Sequence, residues 1–298
     1  MSHNFFERSL FDSFFGNGAS GNVVVVGTVT LTTDTYYNNL TVNSGGVLIT
    51  GGYRVFVRNR LRIESGGTIQ YNAPPANGRL SGPAYGFVGT TNGYPTYGAF
   101  GVSGNEGGVV NHVGVSPNGA GSQLRGGGVH ATSSVGWSAG KGGNATLNGA
   151  NGGAGTLIAN NWGSTRHFPN CITFKVHGFA SGASFGSGPG GGSGACDAGG
   201  VNDWSGAGGH GGAAVGIVCQ EISNDGTIEC KGGKGGDAAG SVKAGGGGGG
   251  AGGTILITTR IATKVGTLDV SGGAGGNGVN GGANGNTGES GFTQVVLI

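Results

Sequence analysis

Residue types that carry acid–base, nucleophilic or metal chemistry are sparse in this chain and poorly spaced for it. There are 13 carboxylates in 298 residues. Cleaving a glycosidic bond takes two carboxyl groups facing the bond, roughly 5–10 Å apart. The pairs that qualify by proximity in sequence are Asp197 with Asp203 and Asp225 with Glu229. All sit near turns and sheet edges, and Asn224-Asp225-Gly226 is a common turn sequence, which accounts for Asp225 without a substrate. The six histidines, His3, His112, His130, His167, His177 and His210, are scattered without metal-ligand spacing. No nucleophile–histidine pairing can be read. GWSAGKGG at 136–143 has the outline of a phosphate loop, but no Ser or Thr follows the lysine and no helix former comes after. Cys171, Cys196, Cys219 and Cys230 allow three disulfide connectivities, and free thiols in a reducing compartment are the preferred reading. The expectation is a protein that is not an enzyme, with no catalytic residue, no metal and no cofactor.

Binding chemistry is better represented. In YRVFVRNRLRI, Arg54, Arg58, Arg60 and Arg62 share parity. On a continuous strand they occupy one face, with Val55, Val57, Leu61 and Ile63 on the other. Such a stripe is either a solvated outer face or a docking surface for an acidic partner. Tyr85, Tyr94, Tyr97, Trp137, Trp162 and Trp204 stand among Gly, Ser, Asn and Thr, the composition of a recognition surface. They serve equally as the large side chains of a thin core. Phe5, Phe6, Leu10, Phe11, Phe14 and Phe15 crowd the N-terminus. Phe6, Leu10 and Phe14 fall at i, i+4 and i+8, which predicts a short helix with one apolar stripe, ended by Gly16 and Gly18. The stripe either packs on its own domain or plugs into a partner. The partner reading is preferred, because a glycine-rich body offers little apolar surface to receive it.

The elements that must position these groups are strands. Glycine accounts for 76 residues and charged residues for 9%; a glycine in a helix interior costs about 1 kcal/mol against alanine. LTVNSGGVLI at 40–49 and LRIESGGTIQ at 61–70 share one pattern, 21 residues apart. In each, two apolar residues point one way, Ser-Gly-Gly turns the chain, and Leu48 or Ile69 returns inward. IECKGGKG from Ile228 and LDVSGGAG from Leu268 repeat the theme 40 residues apart. A strand–turn unit recurring near every 20 residues is the signature of stacked coils. An antiparallel sandwich with similar hairpins is the alternative.

The glycine tracts carry a phase. Gly272, Gly275, Gly278 and Gly281 are three apart, and after a slip of one residue so are Gly282, Gly285, Gly288 and Gly291. Gly206, Gly209 and Gly212 keep the same step, as do Gly149, Gly152, Gly155 and Gly188, Gly191, Gly194. Three residues per turn is the period of a polyproline II-type helix, which has no internal hydrogen bonds. Such segments satisfy their backbone groups by bonding to one another when glycine lets them approach. Flexible linkers are the alternative. The expected fold class is all-β: β-solenoid-like or sandwich strands, packed polyglycine II segments and one short N-terminal helix. Four regions follow: 1–20 an attachment segment, 21–72 the β-repeats, 73–213 glycine-rich loops with aromatics, and 214–298 the C-terminal β and polyglycine region.

A formal net charge of +2 gives no general argument for nucleic acid. No apolar run approaches the roughly 20 residues that span a bilayer. The N-terminus has Glu7 and Asp12 inside its apolar stretch and no basic start, unlike a signal peptide.

The run LTVNSGGVLITGGYRVFVRNRLRIESGGTI, followed by long Gly-Gly-x tracts and a short terminal strand, resembles glycine-rich structural proteins of tailed bacteriophages, the tail-fibre and fibre-tip adhesin type in particular. The resemblance rests on composition and pattern over most of the chain, and β-repeats before the glycine tracts depart from it. It implies a virion protein assembled in the host cytoplasm, attached to other virion proteins through FFERSLFDSFF. It also implies loops that touch a host surface glycan or outer-membrane protein. Further copies of the same chain are candidate partners as well; nucleic acid and membrane insertion are not expected. A capsid decoration or vertex protein is the alternative role. The solvated outer face is the preferred reading of the arginine stripe; as a docking surface it would face a neighbouring virion protein or a phosphorylated glycolipid.

Overall fold

The computed structural model describes residues 14–72, 206, 208, 209, 211, 212, 214–241 and 243–298. Its elements are strands: β1 (Asn22–Val25), β2 (Thr28–Thr30), β3 (Thr35–Tyr37), β4 (Asn39–Val42), β5 (Val47–Ile49), β6 (Val55–Ile63), β7 (Thr68–Gln70), β8 (Ala214–Asn224), β9 (Thr227–Glu229), β10 (Thr254–Lys264), β11 (Thr267–Asp269) and β12 (Phe292–Leu297). They form two sheets. The first, sheet A, has the order β1-β4-β6-β8-β10-β12, with β3 also paired to β6; the second, sheet B, has the order β2-β5-β7-β9-β11.

All of these strand pairs are parallel. The antiparallel hairpins of the sandwich alternative are therefore absent among the described strands. The reason lies in the turns: each Ser-Gly-Gly carries the chain from one sheet to the other, not back along its own edge. The 21-residue repeat is a register. Leu40 pairs with Leu61, and Leu48 with Ile69. The register then continues across residues 73–205. Leu61 pairs with Ile222 and Ile69 with Ile228, so β8 and β9 occupy the next level of the stack.

Alternation along each strand points one side chain in two between the sheets. Leu40, Val42, Leu61, Ile63, Ile217, Ile222, Ile255 and Ile257 from sheet A meet Leu48, Ile69 and Ile228 from sheet B in a single buried cluster. Fully burying one such side chain contributes roughly 1.5–3 kcal/mol, so a single apolar stripe repeated at every level supplies the core.

The two glycines of the turn serve different ends. Gly45 and Gly66 adopt φ of 75° and 82°, in the left-handed region that side chains resist. Gly46 and Gly67 donate back to Asn43 and Glu64 at 2.8 Å each. There a Cβ would lie 2.3 Å from Val25 O and 2.7 Å from Val42 O of the neighbouring level. In later levels the turn shortens to Asp225-Gly226 and Val265-Gly266. Buried Asn224 braces both: its Oδ1 accepts from Gly226 N at 2.9 Å and its Nδ2 donates to Val265 O at 2.6 Å.

The glycine tracts are ordered extensions of the sheets. Gly206, Gly209 and Gly212 precede β8, and segments 244–253 and 282–291 run into β10 and β12; segments 230–238 and 270–279 follow β9 and β11. They bond to one another every third residue. Gly206, Gly209 and Gly212 donate to Gly245, Gly248 and Ala251. Gly246, Gly249 and Gly252 donate to Ala283, Asn286 and Glu289. Gly232, Gly235 and Ala238 donate to Ser271, Ala274 and Asn277. Those sets run parallel. The antiparallel sets are Gly247, Gly250 and Gly253 to Gly236, Gly233 and Cys230, and Gly285, Gly288 and Gly291 to Gly276, Gly273 and Val270. Residues 244–253 are all buried. A free linker would leave its amides to water; here the amides of one tract are answered by the carbonyls of the next. The one-residue slip in phase between Gly281 and Gly282 is the reversal between two segments, with Asn280 and Gly281 at φ 51° and 86°. Gly206, Gly209 and Gly212, expected from the sequence to end the 73–213 region, bond into this bundle.

Candidate functional site

Two places gather the groups singled out in the sequence: the outward face of sheet A, and the surroundings of Asn72, the last described residue before 73–205.

Outward positions in the first halves of β6, β8, β10 and β12 are apolar or Thr except for Gln294, which pairs with Leu256. Phe56, Val218, Thr258 and Val296 form one row by register. Phe15 is buried against Phe56, Ala214, Val218, Leu256 and Val296, with Phe14 half-buried beside it. The two phenylalanines meet edge to face at 5.0 Å. Tyr36 stacks on Phe56 at 4.8 Å, and the Arg54 guanidinium lies 5.4 Å from the centre of the same ring. The expectation of little apolar surface on the body is corrected here: sheet A has a second apolar face, and Phe14 and Phe15 are on it. These two carry helical backbone. Phe5, Phe6, Leu10 and Phe11, with most of the expected helix, lie outside the described residues. Phe56 gave a usable signal, since it shares parity with Arg54 and Arg58.

The arginines follow that face. Arg54 precedes β6 and is largely covered, its backbone N–H donating to Asp34 Oδ1 at 2.8 Å and its Nε to Asp34 Oδ2 at 2.7 Å. Arg58 is half-buried. A register shift between Val57 and Arg60 interrupts the strand without turning the stripe inward. Arg60 and Arg62 are exposed and answered by Glu221 at 3.2 Å and Glu64 at 3.3 Å. Carboxylates of the same chain thus sit against the guanidinium groups of Arg54, Arg60 and Arg62.

At the second place, Asn72 Nδ2 donates to Glu229 Oε2 at 2.7 Å and to Gln70 Oε1 at 2.9 Å. Lys231 Nζ bridges Glu229 and Asp269, at 3.1 Å each. Burial pulls the Lys231 ammonium down, but hydrogen bonds to the two carboxylates outweigh it and leave it raised. Burial pushes Asp269 up, and hydrogen bonds from Ser271 and Lys231 more than reverse this, holding it below the usual carboxylate range.

Of the carboxylate pairs weighed for catalysis, Asp225 is bound by Lys264 and Glu229 by Lys231. Asp197 and Asp203 lie outside the described residues. So do Tyr85, Tyr94, Tyr97, Trp137, Trp162 and Trp204, and with them Cys171 and Cys196. Cys219 and Cys230 are buried and form no disulfide with each other, and the Cys230 thiol donates to Tyr71 O at 3.5 Å. Burial pushes the Cys219 thiol up to about 12 and drives Cys230 in the same direction. Among the described residues no group of His, Cys, Asp or Glu could hold a metal ion, and no helix is long and apolar enough to cross a membrane.

Compared with protein-family models, with curated proteins and with solved structures, the chain matches none.

Proposed function

We propose that this chain is a structural component of a tailed-phage particle, a fibre, spike or adhesin part that holds residues 73–205 out toward a host surface. Its body is read as a β-solenoid whose later coils are lengthened by a polyglycine II bundle. The observation that carries the proposal is the continuity of the stack across that segment. β6 pairs with β8, and β7 with β9, as if residues 73–205 were not between them. A scaffold whose register continues from one side of a long segment rich in Tyr and Trp to the other fits a presenting role. The backbone bonds of its glycine tracts, made to one another, suit a part that must stay rigid outside a cell. With Phe14 and Phe15 on their own sheet, attachment through the N-terminal stripe is not part of the proposal.

A decoration or vertex protein is the second reading. It is favoured by the rim at β1 and β2, where Val24, Val26 and Val29 are exposed and suit contact with neighbours in a shell. Binding of purified protein to host cells separates the two. The presenting role predicts saturable binding by the full chain and none by a chain with Asn72 joined through a short linker to Gly206. Equal binding by both, or by neither, would sink the presenting role.

A further inference from the structure

We infer that copies of this chain stack head to tail. The first level of one copy, β1 and β2, seats on the last level of another, the second half of β10 and β11.

The two ends of the stack are unfinished in matching ways. Of the large apolar side chains exposed among the described residues, all but Tyr36 lie at an end: Val24, Val26 and Val29 at the first, Ile261, Leu297 and Ile298 at the last. The inward column of sheet B runs Val29, Leu48, Ile69, Ile228, Leu268. Leu48, Ile69 and Ile228 are 0% exposed, whereas Val29 is 41% exposed and Leu268 is only half-buried. Setting Val29 of one copy on Leu268 of another continues that column.

One backbone bond recurs at each junction between levels. Val47, Thr68, Thr227 and Thr267 donate their N–H to the carbonyls of Gly27, Gly46, Gly67 and Gly226, at 2.9, 2.9, 3.0 and 3.2 Å. Thr28 occupies the same column in the first level, and Gly266 precedes Thr267 in the last. Thr28 N–H on Gly266 O of another copy is the next member of that series.

Sheet A fits the same seating. β12 pairs with β10 only over 254–259, which leaves 260–264 as an open edge. Val23 follows the column of Leu40, Leu61, Ile222 and Ala262, so β1 fills that half-level. Ser20 donates its N–H to Tyr36 O and so follows the column of Tyr37 and Leu297. Leu297 and Ile298 therefore lift away as the next copy seats. Residues 13–33 contain no charged side chain and no proline, so the first edge lacks the devices that keep edge strands from pairing. The two surfaces differ, so the contact does not close on itself and repeats from copy to copy. It is set by the ends of the stack and requires no phage particle.

Analytical ultracentrifugation of the full chain is the test. The wild-type chain should show a mean mass that rises with concentration and passes the dimer without a limit. Val29→Lys places a charge on the first edge, at an exposed position, and leaves the last level intact. It should stay monomeric at about tenfold higher concentration, and in excess it should cut wild-type assemblies down to dimers. Thr28→Pro, which removes the donor, should do the same. A wild-type chain that is monomeric up to about 1 mM, or that stops at a dimer, would overturn the inference. So would assembly of either variant by itself, or wild-type assemblies left unchanged by an excess of a variant whose melting curve shows it folded.

Discussion

The amide of Lys231 donates to Oδ1 of Asn72 at 2.8 Å, across 159 residues of sequence. Asn72 is the last described residue before 73–205, and its side chain also donates to Gln70 and Glu229. One amide side chain thus fastens the level before that segment to the level after it. Asn72→Ala removes these bonds and leaves a backbone N–H without its acceptor. A loss of about 1–3 kcal/mol is expected, read as a lower midpoint in urea. An unchanged midpoint would show that the two levels are held by the strand ladder alone.

The glycine bundle makes a sharper prediction. A Cβ on Gly249 would lie 1.8 Å from Gly273 O, and one on Gly285 would lie 1.9 Å from Gly247 O. Both contacts are with backbone, so no side chain can swing aside. Gly249→Ala is expected to cost more than about 3 kcal/mol, in the range of the most damaging core changes. Gly27, with nothing within 4 Å of its Cβ position, is the control. Gly27→Ala should change stability by no more than about 0.5 kcal/mol. Thermal melting of both variants checks this; similar midpoints would mean that the tracts do not pack closely.

Two ion pairs should differ in weight. Arg54 and Asp34 have side chains only 13% and 16% exposed, whereas Arg60 and Glu221 are at 50% and 31%. Asp34→Ala strips the covered guanidinium of its carboxylate and is expected to cost about 2–4 kcal/mol. Arg60→Ala should cost less than about 1 kcal/mol, and less still in high salt. Denaturation at two ionic strengths compares them.

Burial of the thiols fixes the sign of an alkaline response. Cys219 rises from its ordinary 9.0 to about 12, and Cys230 also rises. Above about pH 9 the unfolded chain loses thiol protons that the folded chain keeps, so stability falls as pH rises. The slope approaches about 1.4 kcal/mol per pH unit for each thiol. Below about pH 9 the two cysteines contribute no slope. Cys219→Ala should remove roughly half of the thiol contribution. Denaturant midpoints at about pH 8 and about pH 10 measure it.

Much of this architecture was legible in residue order. The matched decamers at Leu40 and Leu61 became a register, and the slip between Gly281 and Gly282 became a chain reversal. What stayed hidden is non-local. β8 reads as an almost unbroken apolar run, because its first half is covered on both sides, and alternation has nothing to contrast there. The contact of Phe15 with Phe56 and Leu256 depends on how levels stack, which no local pattern encodes. The repeat at Ile228 signals that the winding resumes, but the direct pairing of Leu61 with Ile222 across the intervening segment is not written in any local pattern. The proposed contact with a host surface rests on side chains such as Trp137 and Trp162, beyond the described residues.

Purification of phage particles from the lysing host, followed by mass spectrometry across the density gradient, tests the central claim most directly. The account predicts that this chain bands with the particles at a fixed ratio to the other virion proteins, and that antibody against its strand body labels intact particles. Its presence only in the soluble fraction, with none in the particle band, would contradict it.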